Sequence, residues 1–366
     1  MRKKRNHKNR LLCVEDSIAS DKMARLSNIE LLRIIAMLMI LLLHANGALG
    51  PVSAEEVTSS PVTSFLRALC EQASIIGVNV FILISGWFGI RAKVKGLMNF
   101  FFQVAFCSIF IAIFFKLSGL EITGGLKDVL LACTGLPYWF VTAYIILFML
   151  SPVLNAFAQT ADKKTYMLFL LGFFIVQQIY GRFGDQGHFQ AGYSAISFVG
   201  LYLLSGYVRR YPFKLTTFSA GVDFLIYAVI VFGATLYNYL TPGGVPYGGP
   251  HSTFDYNNIV VIVSSLYFFL GFTKMDFESK GVNWLAASAF SIYLIHMNFL
   301  VAPYYRELFV ELFGRYPDFR FFLLSIPIVL VIGLGCILVD KIRIFLWQRL
   351  WNIYERSSIG KFIEQW

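Results

Sequence analysis

Residues 28–47 read NIELLRIIAMLMILLLHANG, an apolar run that keeps a carboxylate at Glu30, a guanidinium at Arg33 and an imidazole at His44. On an α-helix each residue advances about 100° and about 1.5 Å. Arg33 and His44, eleven positions apart, therefore lie about 20° apart in azimuth and about 16 Å apart along the axis. Glu30, three positions before Arg33, falls on the same side. The three polar groups share one stripe of an otherwise apolar cylinder, with a cation near one end and a possible base deeper in. Such a stripe predicts the wall of a polar passage. The plainer reading of Glu30 and Arg33 is an i,i+3 ion pair at a helix start, worth a few tenths of a kcal/mol. An ionisable group such as His44 inside a span faces a cavity or is satisfied by a neighbouring helix; the first marks function.

The rest of the chain determines what kind of molecule must position these groups. It has 366 residues, 57% hydrophobic and 14% charged, with a mean hydropathy of +0.65. Soluble domains carry about a quarter charged residues. Apolar stretches recur along the whole length, each long enough to cross a hydrocarbon core about 30 Å thick, and backbone groups in lipid require them to be helical. The sequence predicts an all-α polytopic transmembrane bundle of about ten spans, near 29–49, 73–90, 97–117, 138–158, 166–182, 193–209, 218–240, 256–273, 283–303 and 321–344. Of the 31 Lys and Arg, 23 then fall on one side and 7 on the other. By the positive-inside rule both termini are expected in the cytoplasm.

That distribution also argues against nucleic-acid binding as the meaning of the +10 net charge. The MRKKRNHKNR tail reads instead as a basic arm against anionic lipid. Expected organisation is a cytoplasmic tail at 1–27, one membrane domain at 28–346 and a C-terminal tail at 347–366. The apolar LLCV after the basic start is too short for a signal peptide. Five scattered cysteines without CxxC spacing imply neither a metal site nor a disulfide framework. Residues 124–136 are expected to form a short re-entrant or interfacial helix, and Ser85 and Gly86 to allow close packing of the second span.

Other polar residues admit two readings each. Arg91, Lys93 and Lys95 in IRAKVK either anchor the chain on the cytoplasmic side or bind an anion there. Gln177, Gln178 and Arg182 put polarity at the outer end of the fifth span. His188 with Asp185, and His251 with Asp255, fit no strong metal template, so loop hydrogen bonding is expected of both.

The opening pattern of Glu30, Leu32, Arg33 and His44 resembles the start of the acyltransferase 3 family of bacterial multi-pass membrane acyltransferases, whose members commonly carry Asp in place of Glu30. GVNVFILISGWF (77–88), PYWFVTAYIILFMLSPVLN (137–155) and SIYLIHMNFL (291–300) are similar to later family motifs in the same order. The resemblance implies an O-acyltransferase, most often an O-acetyltransferase, of the inner or plasma membrane. The acyl group would pass from a cytoplasmic acyl-CoA, as donor substrate rather than resident cofactor, to a hydroxyl of a cell-surface or lipid-linked glycan. It implies His44 as general base, with Glu30 placed beside it in the catalytic set; a covalent acyl-histidine stays open.

Cations for the CoA phosphates would be Arg33, Arg91, Lys93 and Lys95, although Val94 stands where many relatives repeat the arginine. Trp139, Tyr144 and His296 are expected on the acceptor side, with the Trp face available for stacking on a sugar; the aromatic belt is the plainer alternative for Trp139 and Tyr144, and structural packing, with no catalytic step, for His296. Either the chain delivers the acyl group to the acceptor itself, or a separate periplasmic or extracellular protein completes the transfer. The rival reading is a transporter or flippase of polysaccharide or lipid-linked sugar, and a third is an inactive scaffold.

Overall fold

The computed structural model describes residues 26–183, 188–241 and 253–355, with the side chains of 182 and 183 left aside. Arg182, Asp185 and His251 therefore lie outside what can be described, as do most of the two tails.

All regular elements among the described residues are helical. The chain begins with α1 (Ser27–Gly47), a short α2 (Ala54–Ser59), α3 (Pro61–Ser74) and α4 (Gly77–Phe88). There follow α5 (Val94–Leu117), α6 (Gly125–Thr134), α7 (Trp139–Thr160) and α8 (Lys163–Phe183). The second half holds α9 (Ala195–Arg210), α10 (Ala220–Leu240), α11 (Ile259–Thr273) and α12 (Lys280–Ala286). It closes with α13 (Ala289–His296), α14 (Ala302–Arg315) and the long α15 (Phe319–Glu355).

Among the described residues six stretches are long and apolar enough to cross a bilayer: Ser27–Gly47, Pro61–Phe88, Val94–Leu117, Gly125–Thr160, Ala220–Leu240 and Phe319–Glu355. The protein is a multi-pass membrane protein. The expected count of ten rests on four further segments that are less apolar, shorter or broken. Residues 166–182 lie in α8, which opens on Lys163 and Lys164. The segments 193–209 and 256–273 correspond to α9 and α11, of 16 and 15 residues. The segment 283–303 is not one helix: α12 and α13 are separate, and the chain turns after His296. Helix α15 continues to Glu355, into the first residues of the expected C-terminal tail.

Burial separates centre from periphery. The Pro61–Phe88 stretch is 72% buried and Ala220–Leu240 only 22%. Helix α1 is the hub, packed against α3, α4, α11, α12, α13, α14 and α15. Outer helices display large apolar side chains, such as Ile113 and Phe114 on α5, Val229 and Phe232 on α10, and Val331 on α15. In water such a surface would be an aggregation liability; against lipid tails it is the matching solvent.

Small residues set the central crossings, as expected for the second span. A Cβ on Gly77 would stand 2.8 Å from the Ala36 carbonyl oxygen of α1, and one on Gly86 would stand 2.0 Å from the Tyr202 carbonyl oxygen of α9. Neither backbone can yield easily, so α4 is pressed directly against both neighbours. The expected short helix before α7 is α6, ten residues between Gly124 and Gly135.

Candidate active site

His44 is carried near the end of α1, and His296 ends α13. The packing of α13 on α1 brings the two rings together across 252 positions of sequence, with His44 Nδ1 2.8 Å from His296 Nε2. His296 Nδ1 lies 2.5 Å from the carbonyl oxygen of Ile292, one turn earlier on its own helix. A carbonyl only accepts, so His296 Nδ1 carries the proton and donates it. With both rings neutral, His296 Nε2 is then bare and accepts from His44 Nδ1. His44 Nε2 is left with its lone pair. One backbone carbonyl thus fixes the tautomer of both imidazoles.

The ring of His296 is held tightly. Tyr305 packs 5.4 Å from it, centre to centre, and donates its hydroxyl to the Leu41 carbonyl at 2.7 Å. Beyond the helix end, Asn298 donates to the Tyr138 hydroxyl at 2.9 Å, and that hydroxyl donates to the Leu294 carbonyl at 3.3 Å. Asn298 is fully buried and its own carbonyl receives the amides of Val301 and Ala302. The turn from α13 into α14 is therefore tied to the start of α7, and the imidazole at its edge has little freedom.

A cavity of about 330 Å³ adjoins the pair, lined by His44, Gly47, Ala48, His296, Met297, Ala302, Tyr305 and Arg306. Its size sits at the small end of ligand sites, about 300–1,000 Å³.

A second cavity, of about 340 Å³, lies toward the other end of α1 and includes Arg33, Ser85, Arg91, Asn99, Gln103 and Tyr144 in its lining. The two chambers share no lining residue. The polar stripe of α1 therefore reaches one chamber near each of its ends.

Glu30, expected in the catalytic set, belongs to the second region. It accepts from Arg33 Nη1 at 3.1 Å, and fourteen residues of helix, about 21 Å, separate it from His44. Its observed contact is with the cation, not with the imidazole. Arg33 and Arg91, expected as anion-binding residues, do meet in one chamber. Lys93 and Lys95 do not join them. Lys93 is exposed just before α5, and Lys95 is paired with Glu355 at 3.0 Å.

Tyr144, expected on the acceptor side, instead lines the chamber of the two arginines and stacks on Phe140. Trp139 lines neither chamber; its ring packs against Tyr193 at 4.5 Å and Tyr256 at 5.8 Å. Gln178 clamps the entry to α11, donating to the Asn257 carbonyl at 2.6 Å and accepting from the Ile259 amide at 3.2 Å.

Two further sets of residues support the arginine chamber. Asn155 donates to the Ile90 carbonyl at 2.9 Å and accepts from the Tyr202 hydroxyl at 2.5 Å, while that hydroxyl accepts from the Ile90 amide at 2.8 Å. This clamp fixes the turn that presents Arg91. The turn needs Gly89, whose φ is +75° and whose Cβ would stand 3.3 Å from the Asn155 side-chain oxygen.

Behind the chamber, Arg343 makes a two-pronged pair with Asp340 at 2.9 and 2.7 Å. Gln103 donates to Asp340 at 3.0 Å, and Arg343 donates to Asn99 at 2.9 Å. Two lining residues are thus braced by a buried ion pair. Asp340 and Arg343, three apart in an apolar helix, carry the same signature as His44, an ionisable group inside a span.

The sequence matches a family profile described as an acyltransferase domain over residues 26–339. No curated protein and no solved structure matches it.

Proposed function

The chain belongs to the acyltransferase 3 family and is an acyltransferase for groups other than amino-acyl groups, and from that premise we propose that it moves an acyl group, in the first instance acetyl, from acyl-CoA to a hydroxyl of a cell-envelope carbohydrate. The observation that carries this reading is the His44–His296 pair, which leaves a bare imidazole nitrogen beside a cavity.

A sugar hydroxyl is a weak nucleophile, and a positioned base can take its proton as the oxygen attacks the thioester carbonyl. In this reaction His44 Nε2 receives that proton. The His44 Nδ1–H to His296 bond becomes charge-assisted as it does so, and strengthens. Collapse of the tetrahedral intermediate breaks the carbon–sulfur bond, and the imidazolium returns the proton to the departing thiolate. The products are the ester and free CoA.

Arg33 and Arg91 are the groups that would hold the donor phosphates, with Glu30 orienting Arg33. The excess of basic residues on that side of the chain supports a cytoplasmic entrance for the donor and both termini in the cytoplasm. The acceptor would enter from the opposite side.

The test is purified protein with isotope-labelled acetyl-CoA and extracted envelope glycan. Label should move to the glycan in the wild type and not in His44→Ala, with both proteins equally folded in the membrane. Glycan translocation without thioester consumption would replace this reading with transport.

A further inference from the structure

The chamber beside the histidine pair contains a cation that the mechanism above leaves idle. Arg306, in the second turn of α14, lines it with Gly47, Ala48 and Ala302, and is exposed at its rim. No carboxylate of the described residues lies within ion-pair distance of its guanidinium, whereas Arg33, Arg67, Arg320 and Arg343 each hold an acid. Glu307 and Glu311, one and five positions further along α14, do not share its face. Helix α14 begins at Ala302 in the same wall, so the positive end of its dipole adds to the guanidinium. The chamber therefore offers an uncompensated positive field within reach of the catalytic base.

We propose that this chamber takes the acceptor, and that the acceptor is a sugar bearing an oxyanion, carboxylate or phosphate, which Arg306 grips while a hydroxyl of the same sugar meets His44 Nε2. A guanidinium fits either anion with paired N–H donors. Arg306 thereby selects charged over neutral acceptors. The assignment of the chamber to an acceptor rests on the acyl-transfer reading, but the binding step can be measured without it.

The probe is a thiol at the chamber wall. Gly47→Cys suits this because a Cβ there meets nothing within 4 Å. In the full-length protein in detergent, maleimide labelling of that cysteine is followed by mass spectrometry, against the unsubstituted chain as background. Glucuronate, glucose 1-phosphate and glucose are the competitors, so the first two separate a carboxylate source from a phosphate source. At about nine times its Kd one or both anions should slow labelling about tenfold, and glucose at the same concentration should slow it far less, since it lacks a charge-assisted hydrogen bond worth about 10- to 150-fold in affinity. Arg306→Gln should remove the protection and Arg306→Lys should keep part of it.

In turnover, Arg306→Gln should raise KM for an anionic acceptor by about the same factor with kcat little changed, and leave a carboxyl-reduced acceptor unaffected. Equal protection by glucose, protection by neither anion, or protection that survives Arg306→Gln overturns the proposal. So does an equal loss of kcat on charged and neutral acceptors, which would put the guanidinium on the reacting carbonyl. Protection by an anion without any thioester consumption would leave this binding site standing and remove the acyl-transfer reading alone.

Discussion

Replacing His296 tests the tautomer relay most directly. In His296→Ala the Nδ1–H of His44 loses the acceptor it has at 2.8 Å, and the Ile292 carbonyl loses its donor at 2.5 Å. A buried donor left without its partner costs about 1–3 kcal/mol. That is the energy by which the present arrangement favours the tautomer with a bare Nε2. Converted at about 1.4 kcal/mol per tenfold, it predicts a fall in kcat of about 5- to 150-fold. His44→Ala should cost more, because removal of a general base typically costs about 10²–10⁴.

The two substitutions act on one event, so the double variant should be no slower than His44→Ala alone. His296→Gln, whose amide oxygen can accept, should recover part of the rate. KM for acyl-CoA should not move, because Arg33 and Arg91, proposed to hold the donor, line the chamber at the other end of α1. The assay is steady-state thioester consumption by purified protein at saturating acceptor. Full activity in His296→Ala, or a double variant slower than His44→Ala by the single factor again, would refute the relay.

Arg33→Gln and Arg91→Gln should each raise KM for acyl-CoA by about 10- to 150-fold, the worth of a hydrogen bond to a charged group, while Lys93→Gln leaves it unchanged. Gly86→Ala forces a methyl into the Tyr202 carbonyl and should lower stability by about 1–3 kcal/mol, read as a drop in the thermal unfolding midpoint in detergent. Asp340→Ala strands the Arg343 guanidinium in the interior and should cost about 3–5 kcal/mol by the same measurement. The paired change Asp340→Leu with Arg343→Met should restore most of that loss, since it removes both charges together.

The parts of this architecture legible in the sequence were those governed by local periodicity. The spacing of Arg33 and His44 places both on one side of α1, and each does line a chamber. The small residues of α4 announced its close crossings for the same reason, since a missing side chain is visible without knowing the neighbour.

What escaped depends on partners far along the chain. His296 reads as an isolated ring in SIYLIH, and nothing in that segment says that its Nε2 meets α1. Tyr144 sits five positions after Trp139, about 140° around the helix, so the two face different surroundings although both carry an aromatic ring. Glu30 shares the azimuth of Arg33 and His44, but azimuth alone does not bring it to the imidazole about 21 Å away, and its contact is with the guanidinium. Arg306 follows a run of aromatic residues in a connection where no helical period marks it out.

The base and its orienting ring come from opposite ends of translation. His44 enters the bilayer with the first helix, and His296 follows 252 residues later. An unfinished chain already presents the imidazole, yet its proton can sit on either nitrogen until the late helix docks. On the acyl-transfer reading, the order of insertion thus fixes the tautomer of the base late, long after the first helix has entered the bilayer.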